Sequence, residues 1–170
     1  FFVSFLTAGL FAQGPNFSGT INADGGGDQS YPLTFGFSPD ATDGFDDGVD
    51  SYAPPAPPPP AFDAALMWGG ERYYTQILSG SNDDLVEHEY TVAFAFDSNS
   101  LINLSWDNTG WSDLMGSCLL QDAFGGVMIN VDMLSATSAV LNNPAFTQLA
   151  LKVTPLAGSE EPDTHPVTFT

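Results

Sequence analysis

The segment EHEYTVAFAF, residues 87–96, carries the pattern that decides the fold class. Apolar side chains occupy every second position at Tyr90, Val92, Phe94 and Phe96. Because successive side chains of a β-strand point to opposite faces, this alternation predicts a strand with one buried face.

Short segments of the same kind recur along the chain. Residues 31–37 and 101–106 alternate in the same way, and polar or glycine-containing turns separate the segments. No long stretch shows the 3.6-residue periodicity of an amphipathic helix. Short strands with regularly spaced turns are typical of sandwiches and barrels. We therefore predict an all-β fold, an antiparallel β-sandwich of the immunoglobulin-like or jelly-roll kind, with about 8–9 short strands.

The charge balance excludes some partners. Asp and Glu total 21 and Lys and Arg total 2, which gives a net charge of -19 in 170 residues. Nucleic-acid binding depends on basic side chains that neutralise phosphates, so we expect no nucleic-acid partner. Anionic membrane surfaces would repel the chain as well, and we expect no membrane contact in the mature form.

The first residues suggest export. Residues 1–12, FFVSFLTAGLFA, are apolar, uncharged and shorter than the roughly 20 residues that span a bilayer. We predict a signal peptide remnant, and hence a secreted or cell-surface protein. Two alternatives stay open: a buried element of the fold, or an apolar extension that docks into a neighbouring subunit.

The rest of the chain divides by composition. Residues 13–30 are rich in Gly, Asn and Asp and predict a flexible linker, and residues 31–155 form the predicted sandwich domain. Within that domain, the proline run at residues 54–60 predicts a stiff connector. Residues 156–170 are polar and predict a second linker, which we expect to continue into a further region.

Several blocks, taken in their order, suggest a family. They are residues 33–36 (LTFG), 38–50 (SPDATDGFDDGVD), 62–64 (FDA), 104–107 (LSWD), 120–122 (LQD) and 131–133 (VDM). This order resembles a β-sandwich module of secreted bacterial cell-surface proteins, many of them exported by a type IX secretion system. The resemblance implies an extracellular location and, as partners, other domains of the same surface protein. It implies little about activity.

An acidic segment is the candidate metal site. It contains Asp40, Asp43, Asp46, Asp47 and Asp50. Calcium takes six to eight oxygen ligands, which closely spaced carboxylates and carbonyls can supply. The spacing is not that of an EF-hand, and Asp-Gly pairs are ordinary turn formers. We predict calcium as a possible cofactor, with a solvated acidic turn as the alternative.

Aromatic side chains are the candidate ligand-binding residues. Trp111 lies in the polar stretch 107–116, so we expect it to be exposed and able to stack on a sugar ring. Tyr73 and Tyr74 are further candidates, although packing in the core is the alternative for both.

No catalytic site is evident in the sequence. Cys118 lies in an apolar run, which predicts a buried structural thiol. Glu87 and Glu89 could face one side of a strand as an acid–base pair, but an exposed strand face is the simpler interpretation. The serine and histidine residues form no nucleophile elbow. We therefore predict that the chain is not an enzyme.

These observations favour a non-catalytic extracellular module, structural or adhesive, of a bacterial surface protein. Two alternatives stay open. One is a calcium-assisted carbohydrate-binding module with a polysaccharide partner. The other is a subunit of an extracellular filament that assembles with like subunits through the apolar N-terminal segment.

Overall fold

The computed structural model describes residues 15–25, 29–95 and 101–156, and they fold as an all-β chain. The strands are β1 (Phe17–Asp24), β2 (Ser30–Ser38), β3 (Ser51–Tyr52), β4 (Asp63–Trp68), β5 (Glu71–Ser79), β6 (His88–Ala95), β7 (Ile102–Trp106), β8 (Met115–Gln121), β9 (Asn130–Asp132), β10 (Ser138–Leu141) and β11 (Gln148–Pro155). A short 3₁₀ helix covers Trp111–Asp113. The all-β prediction is confirmed, but the predicted strand number was too low.

The strands form one mixed sheet of 11 strands. Their order is β10-β7-β1-β2-β5-β4-β6-β11-β8-β9, and β3 pairs with β5 beside this path. The prediction of a purely antiparallel arrangement is wrong at one place, because β2 and β5 pair in parallel from Thr34 opposite Thr75 to Ser38 opposite Ser79. Parallel neighbours need a long crossover, and the chain between β2 and β5 provides it.

The sheet curls until its two edges lie close together. The edge strands β9 and β10 follow each other in the chain and are joined by residues 133–137. This short connection touches both ends of the sheet: the Met133 N–H donates to the Cys118 carbonyl over 2.8 Å, and the Trp106 N–H donates to the Thr137 carbonyl over 2.9 Å. A connection of this length can join the edges only if the sheet is nearly closed, as in a barrel.

The core fills the inside of this curl. β6 alternates as predicted, with Tyr90 and Val92 fully buried and Glu89 exposed. The Tyr90 ring meets the Phe35 ring of β2 edge to face, with centroids 5.6 Å apart, and its hydroxyl donates to the Gly36 carbonyl. Opposite parts of one sheet therefore pack against each other across a shared core.

The flexible linker predicted for residues 13–30 is wrong where β1 forms. β1 pairs with β2 from Phe17 opposite Phe37 to Asp24 opposite Ser30, and Phe17 and Ile21 are buried. Glycine and asparagine made the segment look like a linker. Gly19 has a packing role instead, because a Cβ there would lie 2.5 Å from Cζ2 of the Trp111 ring.

Other predicted segments are described only in part. The signal peptide remnant, residues 1–12, lies outside the described residues, as does all of the second linker except Leu156. The proline run lies in the connection between β3 and β4, as a connector should. In the part of the chain that the structure describes, no helix has the length and apolar character needed to cross a bilayer.

Candidate functional site

Residues 40–50, the Asp loop, join β2 to β3 and are held together by their own carboxylates. The Asp46 carboxylate accepts hydrogen bonds from the backbone N–H and the hydroxyl of Thr42, at 2.6 and 3.1 Å. The Asp46 N–H in turn donates to Oδ2 of Asp50 over 2.9 Å. Such side chain to backbone bonds explain why aspartate is favoured in turns.

Two further bonds tie the Asp loop to β5. Oδ1 of Asp50 accepts the Ile77 N–H over 2.8 Å, and Oδ1 of Asp43 accepts the Ser79 N–H over 3.2 Å. Asp50 is 8% exposed, and this burial raises the pKa of its carboxyl, although the N–H groups of Asp46 and Ile77 act in the opposite direction. The carboxylates thus take the place of a strand partner for backbone donors of β5.

The carboxylates of the Asp loop are directed at several different partners. Asp43, Asp46 and Asp50 bond to different backbone groups, while Asp40 and Asp47 are exposed at the surface. Among the described residues, no three His, Cys, Asp or Glu side chains are grouped so that they could hold a metal. Calcium binding by the Asp loop stays a prediction.

Trp111 is not on the surface, so the prediction of an exposed ring is wrong. It is 6% exposed and meets the rings of Phe17 and Phe35 edge to face, with centroids 5.6 and 5.8 Å away. The preceding Gly110 has φ 77°, a left-handed conformation that suits glycine, where the chain enters the 3₁₀ helix. The indole ring of Trp111 packs against Gly19, where the absence of a side chain leaves room for it.

The two candidate tyrosines differ in exposure. Tyr73 is 3% exposed, which leaves no ring face for a ligand. Tyr74 is half-buried, and its ring stacks on Tyr31 with centroids 6.0 Å apart. The Tyr31 hydroxyl donates to the Phe62 carbonyl over 3.3 Å, which fixes this aromatic group.

The exposed aromatic pair that sequence reasoning missed joins the Asp loop to β3. Phe45 and Tyr52 stack with centroids 4.3 Å apart and an interplanar angle of 4°. They are 40% and 50% exposed, and Tyr52 also contacts the buried Tyr73 ring at 5.0 Å. One signal was available, because Phe45 is the aromatic residue of an otherwise polar and acidic turn. Flat, partly exposed rings of this kind can stack on the apolar face of a sugar.

The single cysteine is buried, as predicted. Cys118 is fully buried with its Sγ 3.8 Å from Sδ of Met133. Burial raises the pKa of the thiol to about 12, so it stays protonated at physiological pH. A thiol of this kind packs as a small apolar group and is a poor nucleophile.

Glu87 and Glu89 share a cation. Both carboxylates lie 3.3 Å from Nζ of Lys152, and both side chains are about half exposed. Hydrogen bonds from the ammonium group to Glu87 and Glu89 raise the pKa of Lys152. This arrangement is typical of a solvated strand face, which was the simpler of the two interpretations.

A second loop, residues 122–129 between β8 and β9, uses one carboxylate in the same way. The Asp122 side chain is 1% exposed and accepts the N–H groups of Phe124, Met128 and Ile129 at 2.7, 2.7 and 2.6 Å. These bonds, led by that from Ile129, hold the pKa of the carboxyl below its usual value. The loop presents Phe124, Val127 and Met128 at 73%, 80% and 66% exposure.

The comparisons with known proteins identify no relative. No family model matches the chain, and no curated protein or solved structure matches it either. Any function must therefore be argued from the residues and their geometry.

Proposed function

We propose that the chain is a non-catalytic module of a secreted or cell-surface bacterial protein, with a structural or adhesive role. The observation that carries the proposal is the use of the aspartates. Asp43, Asp46, Asp50 and Asp122 direct their carboxylates at backbone N–H groups, in contacts that hold loops in place.

Carboxylates engaged in this way are suited to structure rather than to acid–base chemistry. A catalytic carboxyl needs access to substrate and a pKa near the working pH. The pKa of Asp122 is held low by its backbone donors instead. The high negative charge that remains at the surface keeps copies of the chain apart and soluble, which suits an exported protein.

The proposal includes the arrangement of the sheet in layers. A two-layer sandwich, immunoglobulin-like or jelly-roll, is supported by the facing parts of the curled sheet, where Phe35 of β2 meets Tyr90 of β6. Residues 133–137 bring the two edges of the sheet close together, and this supports a barrel to the same degree as a sandwich.

Antibodies raised against the folded chain test the location in the cells that produce it. We expect labelling of intact cells or of the culture medium, and release of the antigen from the cells by brief protease treatment. Labelling that requires permeabilised cells would contradict an extracellular module.

A second candidate function, calcium-assisted carbohydrate binding, is favoured by the stacked pair of Phe45 and Tyr52. Affinity electrophoresis in gels that contain soluble polysaccharides tests it, with calcium or with chelator. We expect retardation that is lost in the double variant Phe45→Ala/Tyr52→Ala and kept in Phe124→Ala, which removes an exposed ring elsewhere. Equal retardation of all three proteins would exclude the aromatic pair as the binding surface.

The third candidate, a filament subunit, depends on residues 1–12. These lie outside the described residues, so assembly through them stays a prediction.

A further inference from the structure

The strand β10 is one edge of the sheet. It pairs with β7 alone, and in the part of the chain that the structure describes no strand pairs with its other side. Ser138 and Val140 are exposed, Val140 to 58%, whereas Leu141 is buried in the core. We call the unpaired side of β10 the open edge.

The hydrogen-bond pattern with β7 shows which backbone groups lie along the open edge. The Trp106 N–H donates to the Thr137 carbonyl over 2.9 Å, so these residues form a hydrogen-bonded pair. Such pairs alternate with non-hydrogen-bonded ones in an antiparallel ladder, and Ser138 and Val140 therefore stand in non-hydrogen-bonded pairs with β7. Their backbone N–H and C=O groups point away from β7, toward the open edge.

The two edges of the sheet differ in how they are protected. Native proteins prevent edge strands from pairing with other chains by placing charges, prolines or bulges there, or by covering the edge. The opposite edge strand, β9, ends at the charged Asp132, whose carbonyl accepts the N–H groups of Ser135 and Ala136 at 3.3 and 3.0 Å. β10 contains neither a charged residue nor a proline. Its outward backbone groups are therefore suited to pairing with another strand.

Charge is also nearly absent around the open edge. The consecutive strands β10, β7, β1 and β2 contain one charged residue, Asp24, and residues 133–151 contain none. The chain as a whole carries a net charge of -19, and other strands expose carboxylates, such as Glu89 on β6. Two copies that approach through the open edge therefore avoid most of the repulsion that opposes contact between their acidic surfaces.

We propose that the chain forms a weak two-fold dimer in which β10 pairs antiparallel with β10 of a second copy. A two-fold axis at Ala139 places Ser138 opposite Val140 of the partner subunit, so that the outward N–H and C=O groups of both residues bond across the axis. The contact is isologous and closes at the dimer. Because β10 is short, the interface is small and the association is transient. The dimer depends neither on residues 1–12 nor on the location proposed above, so each can fail without the other.

Analytical ultracentrifugation, from dilute to millimolar protein and at low and high salt, measures the dimer. We expect a monomer–dimer equilibrium that is stronger at high salt, because salt screens the repulsion between two acidic copies. Val140→Lys places a charge at the open edge and should weaken dimerisation by about tenfold, although it lowers the net negative charge.

The matched control is Val127→Lys, which makes the same change at a valine that is 80% exposed in the loop at residues 122–129. It should alter dimerisation by less than about twofold. A monomer at every concentration, or equal weakening in both variants, would overturn the proposal.

Amide hydrogen exchange of the unchanged protein locates the contact. The Val140 N–H points to the open edge, whereas the Ala139 N–H points to β7. Exchange at Val140 should therefore slow as the fraction of dimer rises, while the Ala139 N–H should be protected in dilute and concentrated samples alike. Exchange at Val140 that does not change while the dimer forms would show that the copies meet through another surface, and would contradict the pairing of β10.

Discussion

The Asp loop and the loop at residues 122–129 are built by the same device and present opposite surfaces. In the Asp loop the bonds are spread over Asp43, Asp46 and Asp50. In the second loop one buried carboxylate, Asp122, accepts all three backbone donors. The first loop is acidic and the second is apolar at its surface, with Phe124 and Val127 strongly exposed.

The comparison shows that aspartates of both loops have a structural role, while calcium binding by the Asp loop stays a prediction. Carboxylates bind backbone N–H groups in both loops, whatever the rest of the loop presents to solvent. The loops differ in how many aspartates share the bonds, which is three in the Asp loop and one in the loop at residues 122–129. A loop held by one carboxylate should fail at one position, whereas a loop held by three should lose its order in steps.

The largest effect should come from Asp122→Ala. It removes three bonds to backbone donors at once and leaves those N–H groups without a partner in a tightly turned loop. Chemical denaturation should show a greater loss of stability than any single aspartate substitution in the Asp loop. If Asp50→Ala lowers the free energy of unfolding more than Asp122→Ala does, the proposed difference between a loop held by one carboxylate and a loop held by three is wrong.

Asp50→Ala should have the next largest effect, a loss of about 2 kcal/mol in the free energy of unfolding. Asp50 accepts the N–H groups of Ile77 and Asp46, and its loss frees a buried donor in β5. The exposed Asp47→Ala is the control and should change stability by less than about 0.5 kcal/mol. Equal losses would mean that the carboxylate of Asp50 does not hold the loop.

The contributions of Asp122 and Asp50 to stability should change with pH in opposite directions. The folded pKa of Asp122 lies below the ordinary aspartate value of 3.8, so its contribution is present above that value and is lost as the pH falls through the folded pKa. The folded pKa of Asp50 lies above 3.8, so the part of its contribution that depends on protonation is present below 3.8 and is lost as the pH rises through the folded pKa.

Urea denaturation of Asp122→Asn and Asp50→Asn across acidic pH checks this prediction. The penalty of Asp122→Asn should shrink as the pH falls, while that of Asp50→Asn should shrink as the pH rises. Penalties that follow the same direction in both variants would show that one of the two carboxyl groups has a different environment.

The smallest effect concerns the exposed rings of the two loops. Phe45→Ala removes a ring stacked on Tyr52 and should cost about 1 kcal/mol. Phe124→Ala removes a ring that is 73% exposed and should change stability by less than about 0.5 kcal/mol. Thermal denaturation of both variants measures the difference, and a larger loss in Phe124→Ala would mean that this ring packs on the body.

The alternation of apolar and polar residues correctly predicted the features that depend on neighbouring residues in the chain. The buried face of β6 and the buried thiol of Cys118 both follow from short apolar runs. β1 was missed because Gly19 reads as a linker residue, although it is glycine to make room for Trp111. The inward turn of Trp111 could not be read from its polar neighbours, since it depends on space left by a strand far away in the chain.

The candidate site was predicted in part for the same reason. Aspartates at residues 40–50 were evident, but their partners Ile77 and Ser79 lie on β5, which only the parallel pairing of β2 and β5 brings near. The stacking of Phe45 on Tyr52 joins a residue within the Asp loop to a residue of β3, which follows it. Neither kind of contact leaves a periodic signal in the sequence.

Amide hydrogen exchange tests most directly whether the aspartate carboxylates hold the two loops in place. The N–H groups of Ile77, Met128 and Ile129 donate to Asp50 and Asp122. In a chelator-treated sample, NMR should show all three protected from exchange, with protection of Ile77 lost in Asp50→Ala and that of Met128 and Ile129 lost in Asp122→Ala. Amides that exchange freely without calcium and become protected when it is added would contradict the account and make the two loops metal sites.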